Sequence, residues 1–287
     1  MALKHILAIA SGGPGDACAL AAAASLGSQH DGVVEVLPVY PDTAADLIAL
    51  GMTLGSTLSQ EAVERLAAAE SELHRKIETS ARSAAHQADL VFGQGEGAPR
   101  LSVLTRGLRP GLALARHAAL TDLVVFSQKG IGDGGGEGEL FSDCLLGQRT
   151  PVLVVRGEPD ALSGVAVIAW NGGAQAGRAV RAALPLLAMA AEIHIVQCIS
   201  GLDREGADPD ADLLNGYLRL HGVGEGVVTM VEGADVGAAL LAAAEGKRAG
   251  LLVAGAWGHS RLRETIFGGA THTFLRRTSG PSLLLAH

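Results

Sequence analysis

Aromatic residues are scarce in this chain, at 3% of 287 residues. Its cores must therefore be filled by Leu, Val and Ile and by close packing of Ala, since ring stacking has little to work with. Charged residues are also few, 18% against 48% hydrophobic, which excludes a disordered or solvated-polyelectrolyte chain. Basic residues are short as well: 22 Lys and Arg face 30 Asp and Glu, for a net charge of −8. Binding to nucleic acid needs clustered cations to neutralise phosphates, so it is not expected. The cysteines, Cys18, Cys144 and Cys198, are far apart, odd in number and without a C-x-x-C pair. They fit reduced, buried thiols better than a disulfide framework. No run approaches the ~20 apolar residues that a membrane span requires. The opening "MALKHILAIASGG" lacks a basic n-region followed by a long apolar stretch. A soluble, cytoplasmic protein without a membrane partner is the expectation.

What the chain does have is length, and an echo of itself. At 287 residues it suits two domains. "HILAIASGG" (His5 to Gly13) reads as an apolar strand ending in a glycine turn, with an Ala-rich helix to follow. "VAVIAWNGG" (Val165 to Gly173) repeats that opening and leads into a helix with Ala179, Ala183, Leu186 and Leu187 on one face. The correspondence continues in order. "GVVEVLPVY" (Gly32 to Tyr40) matches "AEIHIVQCI" (Ala191 to Ile199), and "TDLVVFSQKG" (Thr121 to Gly130) matches "AGLLVAGAWG" (Ala249 to Gly258). Lastly "TPVLVVRG" (Thr150 to Gly157) matches "GPSLLLAH" (Gly280 to His287). Short continuous apolar strands alternating with amphipathic helices predict an α/β fold whose parallel strands are covered on both faces.

The first half is longer because Thr57 to Ala88 reads as a helix, opened by a Thr-x-x-Gln capping pattern and carrying Val63, Leu66, Leu73 and Ile77 on one stripe. The second half has a shorter equivalent near Asp210 to Leu220. The polar Gly/Pro segment "RGEPDALSG" (Arg156 to Gly164) places the boundary between domains 1–158 and 159–287.

Near the C-terminus, Gly255 and Gly258 end a strand, and nine residues later Gly268 and Gly269 precede Ala270, Thr271, His272 and Thr273 at a helix start. In an open parallel sheet ligands bind beyond the carboxyl ends of the strands, where glycine lets the backbone approach a phosphate. This G-x2-G-x9-G segment resembles that of the universal stress proteins, and so do the strand and helix order of both halves, the "AWNGG" turn and the closing P-x-L-L-L strand. The resemblance covers nearly all of the chain. It implies two tandem doubly wound parallel-sheet domains, Rossmann-like and of the adenine nucleotide alpha hydrolase type. It also implies self-association through last strands, either as a homodimer or between the two halves of one chain. As a nucleotide site it implies Asn171, Gly255, Gly258, His259, Gly268, Gly269 and Thr271, with ATP as the ligand.

Two departures from that pattern bear on the ligand. Gly269 stands where binding members have Ser or Thr, and Asn171 stands where they often have Asp, which removes a charge that would assist Mg²⁺. In the first half the equivalent loop, "IGDGGGEGELFSD", brings Asp133, Glu137, Glu139 and Asp143 toward the phosphate position, so an empty or degenerate first site is expected. "GIGDGG" (Gly130 to Gly135) matches a dinucleotide fingerprint by letter only and reads as a flexible loop. "SGGPGDA" (Ser11 to Ala17) reads as a strand-to-helix turn with Asp16 near the helix start. The ten histidines do not gather at metal-ligand spacing, and no catalytic residue set is apparent. A stress-linked nucleotide-binding protein is therefore the first expectation. The alternatives are a slow nucleotide hydrolase or transferase using Asn171 or Asp235 in the same cleft, and an interaction protein with both clefts closed.

Overall fold

The computed structural model describes residues 2–39, 60–97, 99–104, 110–132, 136–202, 209–257 and 269–287. The first apolar run forms strand β1 (His5–Ala10), and a tight turn leads into helix α1 (Asp16–Gln29). Helix α1 buries Ala19, Ala22, Ala23 and Ala24 completely, which answers the shortage of large side chains with close helix-to-sheet approach. Its first residue, Asp16, folds back to accept hydrogen bonds from the amides of Ser11 (3.2 Å) and Gly12 (2.7 Å), closing the turn. Then follow β2 (Val33–Pro38), α2 (Gln60–Gln87), β3 (Val91–Phe92), β4 (Arg100–Val103), α3 (Pro110–Ala118) and β5 (Leu123–Ser127). Two short helices, α4 (Gln128–Gly132) and α5 (Gly136–Ser142), and a π-helical turn (Asp143–Gln148) precede β6 (Val152–Val155).

After a 3-10 turn (Pro159–Ser163) the pattern starts again. It runs β7 (Val165–Ala169), α6 (Ala174–Leu187), β8 (Glu192–Cys198), α7 (Ala211–Leu220), β9 (Val227–Val231), α8 (Val236–Gly246), β10 (Leu251–Gly255), α9 (Ala270–Arg276) and β11 (Ser282–Ala286). Among the described residues eleven strands form one sheet in the order β3-β4-β2-β1-β5-β6-β11-β10-β7-β8-β9. Within each half every neighbouring pair is parallel. The halves meet through the antiparallel pair β6–β11, in the register Leu283↔Val154, Leu284↔Leu153 and Leu285↔Val152. Each half thus covers the exposed last strand of the other, inside one polypeptide.

Two apolar layers fill the faces of this sheet and both run across the junction. Ile6, Ala8, Leu153, Ile168, Val253 and Leu284 face one layer; Leu7, Ile9, Val154, Val167, Leu252 and Leu285 face the other. The period-two alternation of fully apolar strands makes both faces core, as parallel sheets require.

One detail of the sequence reading falls partly outside the described residues, and two differ from it. Helix α2 is described from Gln60, so the capping pattern at Thr57 and the side chains of Val63 and Leu66 lie outside the described residues; Ile77 is fully buried. The loop read as flexible is helical on both sides of residues 133–135. Its anchor is apolar: Phe141 is 2% exposed and meets Phe126 edge to face at 5.8 Å. Strands β3 (VF), β4 (RLSV) and β9 (VVTMV) were not read from the sequence; β3 has only two residues, β4 is half polar, and all three lie at or next to the sheet edges. Among the described residues no helix is long and apolar enough to cross a membrane.

Candidate functional site

Each half winds outward in both directions from its first strand, so a crevice opens where the order reverses, between β1 and β5 and between β7 and β10. The second crevice gathers the sequence-predicted residues. Two residues beyond β7, Asn171 accepts a hydrogen bond from the amide of Gly173 through Oδ1 (3.0 Å), and this turn starts α6. Opposite, Gly255 ends β10. A Cβ there would stand 2.5 Å from the amide nitrogen of Ala176 and 2.8 Å from Cβ of Gln175, so this glycine lets the first turn of α6 lie against the strand.

Beyond β10 the backbone turns sharply. Trp257 takes a left-handed conformation (φ 49°), and its amide donates to Thr271 Oγ1 at 3.2 Å. Gly269 precedes α9 at φ 86°, and no described residue lies where a side chain would project. Thr271 is buried, so its hydroxyl ties the start of α9 to the end of β10. Asn171, Gly255, Gly269 and Thr271 therefore share one end of the sheet, linked through α6 and the Trp257 turn. Gly258, His259 and Gly268 lie outside the described residues. Among the described residues no group of three or more His, Cys, Asp or Glu is placed to hold a metal ion.

The first crevice is built differently. Ser127 Oγ accepts from the amide of Gly130 (3.0 Å), and the carboxyl group of Glu137 lies directly against Gly130, where a Cβ would otherwise be. In the internal repeat Gly130 is the counterpart of Gly258. Glu137 is 4% exposed, and its Oε2 has no hydrogen-bond partner among the described residues. Burial, reinforced by the nearby charge of Asp16 and opposed by a hydrogen bond with Ser11, raises its pKa above the ordinary carboxyl value. Asp16 is raised too, by burial, against the amides of Ser11 and Gly12. Of the other acids expected here, Glu139 and Asp143 are exposed and Asp133 lies outside the described residues.

Sequence reasoning did not single out two first-half residues that reach the C-terminal end of α9, at the end of the sheet opposite the second crevice. Gln128 Nε2 donates to the carbonyl of Leu275 (2.8 Å), and Arg156 donates to those of Phe274 and Pro281 and to Gln128 Oε1. Burial lowers the Arg156 pKa to about 10, so it is still a cation at neutral pH. The signal was present in the repeat: Gln128 and Arg156 align with Ala256 and Ala286, neither of which has a side-chain donor.

No model of a known protein family matches the sequence, and no curated protein matches it. Solved structures do. A universal stress protein from Archaeoglobus fulgidus matches with a TM-score of 0.67 at 15% identity, covering 99% of this chain and 96% of that one. A protein described as a putative universal stress protein from Pseudomonas aeruginosa matches with a TM-score of 0.54 at 15% identity, covering 99% and 93%. The cytoplasmic domain of a prokaryotic cation chloride cotransporter matches with a TM-score of 0.52 at 9% identity, covering 100% and 95%. Over its whole length, and in both of its α/β halves, the chain has the universal stress protein fold.

Proposed function

We propose that this chain is a stress-response protein of the universal stress type that binds one adenine nucleotide, ATP, in the crevice of its second half. The residues proposed for that site are Asn171, Gly255, Gly258, His259, Gly268, Gly269 and Thr271. The observation that carries the reading is the contrast between the two crevices. The first is filled by the carboxyl group of Glu137 beside Asp16, whereas the second has the neutral Asn171 at the strand end and, among the described residues, no side chain or backbone over Gly269. A phosphate is repelled by the first arrangement and tolerated by the second.

Fold alone does not decide the matter, since a transporter's cytoplasmic domain shares it. The nucleotide fits the second crevice as a ligand held by backbone and amide groups. Among the described residues no group of three or more His, Cys, Asp or Glu is placed to hold a metal ion, and the amide of Asn171 supplies no charge for one, so no step through Mg²⁺ is derived and the proposed activity is binding.

Titration with ATP, followed by melting temperature and calorimetry, tests this. Saturating ligand at about 100 times Kd adds roughly 2.7 kcal/mol to stability. The expected result is a saturable upward shift that Gly258→Leu abolishes while the free protein stays folded. No shift at millimolar ATP, with and without Mg²⁺, would sink the proposal.

A further inference from the structure

Helix α9 ends without a cap of its own. At Arg277 the chain leaves in an extended conformation (φ −76°, ψ 130°), not through the left-handed turn that would return amides to the last carbonyls. Those carbonyls belong to the helix whose first turn holds Thr271 and so the turn at Trp257. Their partners come from the other half of the chain. Gln128 stands immediately after β5 and takes the carbonyl of Leu275; Arg156 stands immediately after β6 and takes that of Phe274. Arg156 Nε to Gln128 Oε1, at 2.9 Å, locks the two donors together, and the Arg156 amide also reaches Ser282 Oγ at 3.2 Å. A cation at a helix C-terminus is favoured by both the free carbonyls and the helix dipole.

We infer that Gln128 and Arg156 are positioning residues: the first half clamps the C-terminal end of α9 and thereby sets the Thr271–Trp257 turn of the second-half crevice. The clamp runs one way. By the internal repeat the second half offers Ala256 and Ala286 at the matching places, and these cannot hold a first-half helix by side-chain donors. The half whose own crevice is filled by Glu137 is thus the half that braces the other. For the ligand-binding consequence, the inference rests on the nucleotide reading above.

Helix α9 is held at several points, and each has a separate partner. Thr271 meets Trp257, Thr273 Oγ1 lies 3.3 Å from Asp235 Oδ2, and Gly237 of α8 leaves room for Ala270 and Thr273, the nearest atoms to a Cβ placed there. Loss of the clamp is therefore expected to loosen the helix without unfolding the sheet. Phe141 of the first half meets Trp257 edge to face at 6.3 Å, a separate contact beside the start of α9.

The test uses the full chain with Gln128→Ala, Arg156→Ala, Arg156→Lys and the double alanine variant, and a control, Leu218→Ala, in the core beneath α7. Two readouts are taken: ATP affinity, and hydrogen exchange at the Trp257 amide and along α9. Each alanine variant is expected to weaken ATP roughly tenfold, as for one lost charged or amide hydrogen bond to a buried carbonyl, with the double variant less than additive because both hold one helix end. Exchange at Trp257 and α9 should quicken while that of β1 and β7 is unchanged. Arg156→Lys should recover only part, because an ammonium lacks the planar fork that spans Phe274, Pro281 and Gln128. Leu218→Ala should lower stability and leave both readouts as in the wild type.

Wild-type exchange at Trp257 and α9 in both alanine variants would overturn the clamp. Equal weakening by Leu218→Ala would overturn it too, by making the effect one of general stability. If the wild-type chain binds no ATP, the nucleotide reading fails by itself, and the exchange measurement still decides whether the clamp sets the turn.

Discussion

Between β1, β2 and α3 two histidines share one carboxylate, and this makes a pH dependence of stability that can be worked out from the structure. His5 Nε2 and His117 Nδ1 each lie 3.1 Å from Glu35 Oε2. His5 Nδ1 faces the carbonyl of Leu120 at 3.3 Å and Thr121 Oγ1 at 3.2 Å, and that hydroxyl already donates to the carbonyl of His117. A carbonyl and a carboxylate only accept, so both ring nitrogens of His5 must donate, and the imidazolium is the form that satisfies the site. Asp122, which accepts from the amide of His5, adds a further negative charge nearby.

The hydrogen bond to Glu35 raises the His5 pKa above 6.5, and the same bond lowers that of Glu35 below 4.5. The His5 contribution to stability is therefore complete below pH 6.5 and lost as pH rises through its folded value. The Glu35 contribution is complete above pH 4.5 and lost as pH falls through its own folded value. Both are present together between about pH 4.5 and 6.5. The side chains are 27% and 24% exposed, so solvent weakens the pair, and about 1 to 2 kcal/mol is at stake. Urea midpoints of the wild type and Glu35→Gln at pH 6.0 and 8.5 measure it, with other titrating groups cancelling between the two proteins. The wild type should be the more stable at pH 6.0, and the gap should narrow at pH 8.5. An equal gap at both values would refute the imidazolium assignment.

Other consequences can be checked in the same way. Glu137 has a folded pKa above 4.5, so it costs stability as pH rises from 4.5 through that value. Glu137→Gln should raise the urea midpoint more at pH 7.5 than at pH 4.5, and a uniform change would contradict burial of the charge. Gly255→Ala drives a Cβ into the backbone of α6 and should cost about 1 to 3 kcal/mol. Gly269→Ala meets no described neighbour but must hold φ 86° and ψ −173°, a region open essentially to glycine alone, so it too should cost about 1 to 3 kcal/mol; chemical denaturation measures both. Burial pushes the Cys144 thiol up to about 12, and Cys198 is buried as well, while Cys18 is partly exposed. A chromogenic disulfide reagent should therefore find one slow thiol in the native protein and three in denaturant.

Much of this fold was legible in the sequence because each half repeats the same strand order, and apolar runs such as "LVVFS" and "LLVAG" have no other stable home than a sheet covered on both faces. Strands β3 and β9 were not legible. Val91 is 70% exposed and Val227 56%, so edge strands carry no burial pattern to read. At the crevice, glycine spacing singled out residues that the structure brings to one end of the sheet, but not what each of them packs against. Gly255 serves helix packing, and the Thr271 hydroxyl closes a turn, both of which need three-dimensional neighbours to see. Gln128 and Arg156 differ from Ala256 and Ala286 in the repeat, but what they hold was not legible, since their partners are backbone carbonyls of a helix more than a hundred residues away. Glu137 was read correctly as an acid near the first crevice. That it lies against Gly130 follows only from the helical path of α4 and α5.

The division of labour between the halves is the central claim, and the stoichiometry of ATP binding by equilibrium dialysis tests it most directly. One nucleotide per chain, lost in Gly258→Leu and retained in Glu137→Gln, is the predicted result. Zero would contradict nucleotide binding, and two would contradict the assignment of the Glu137-filled crevice as closed.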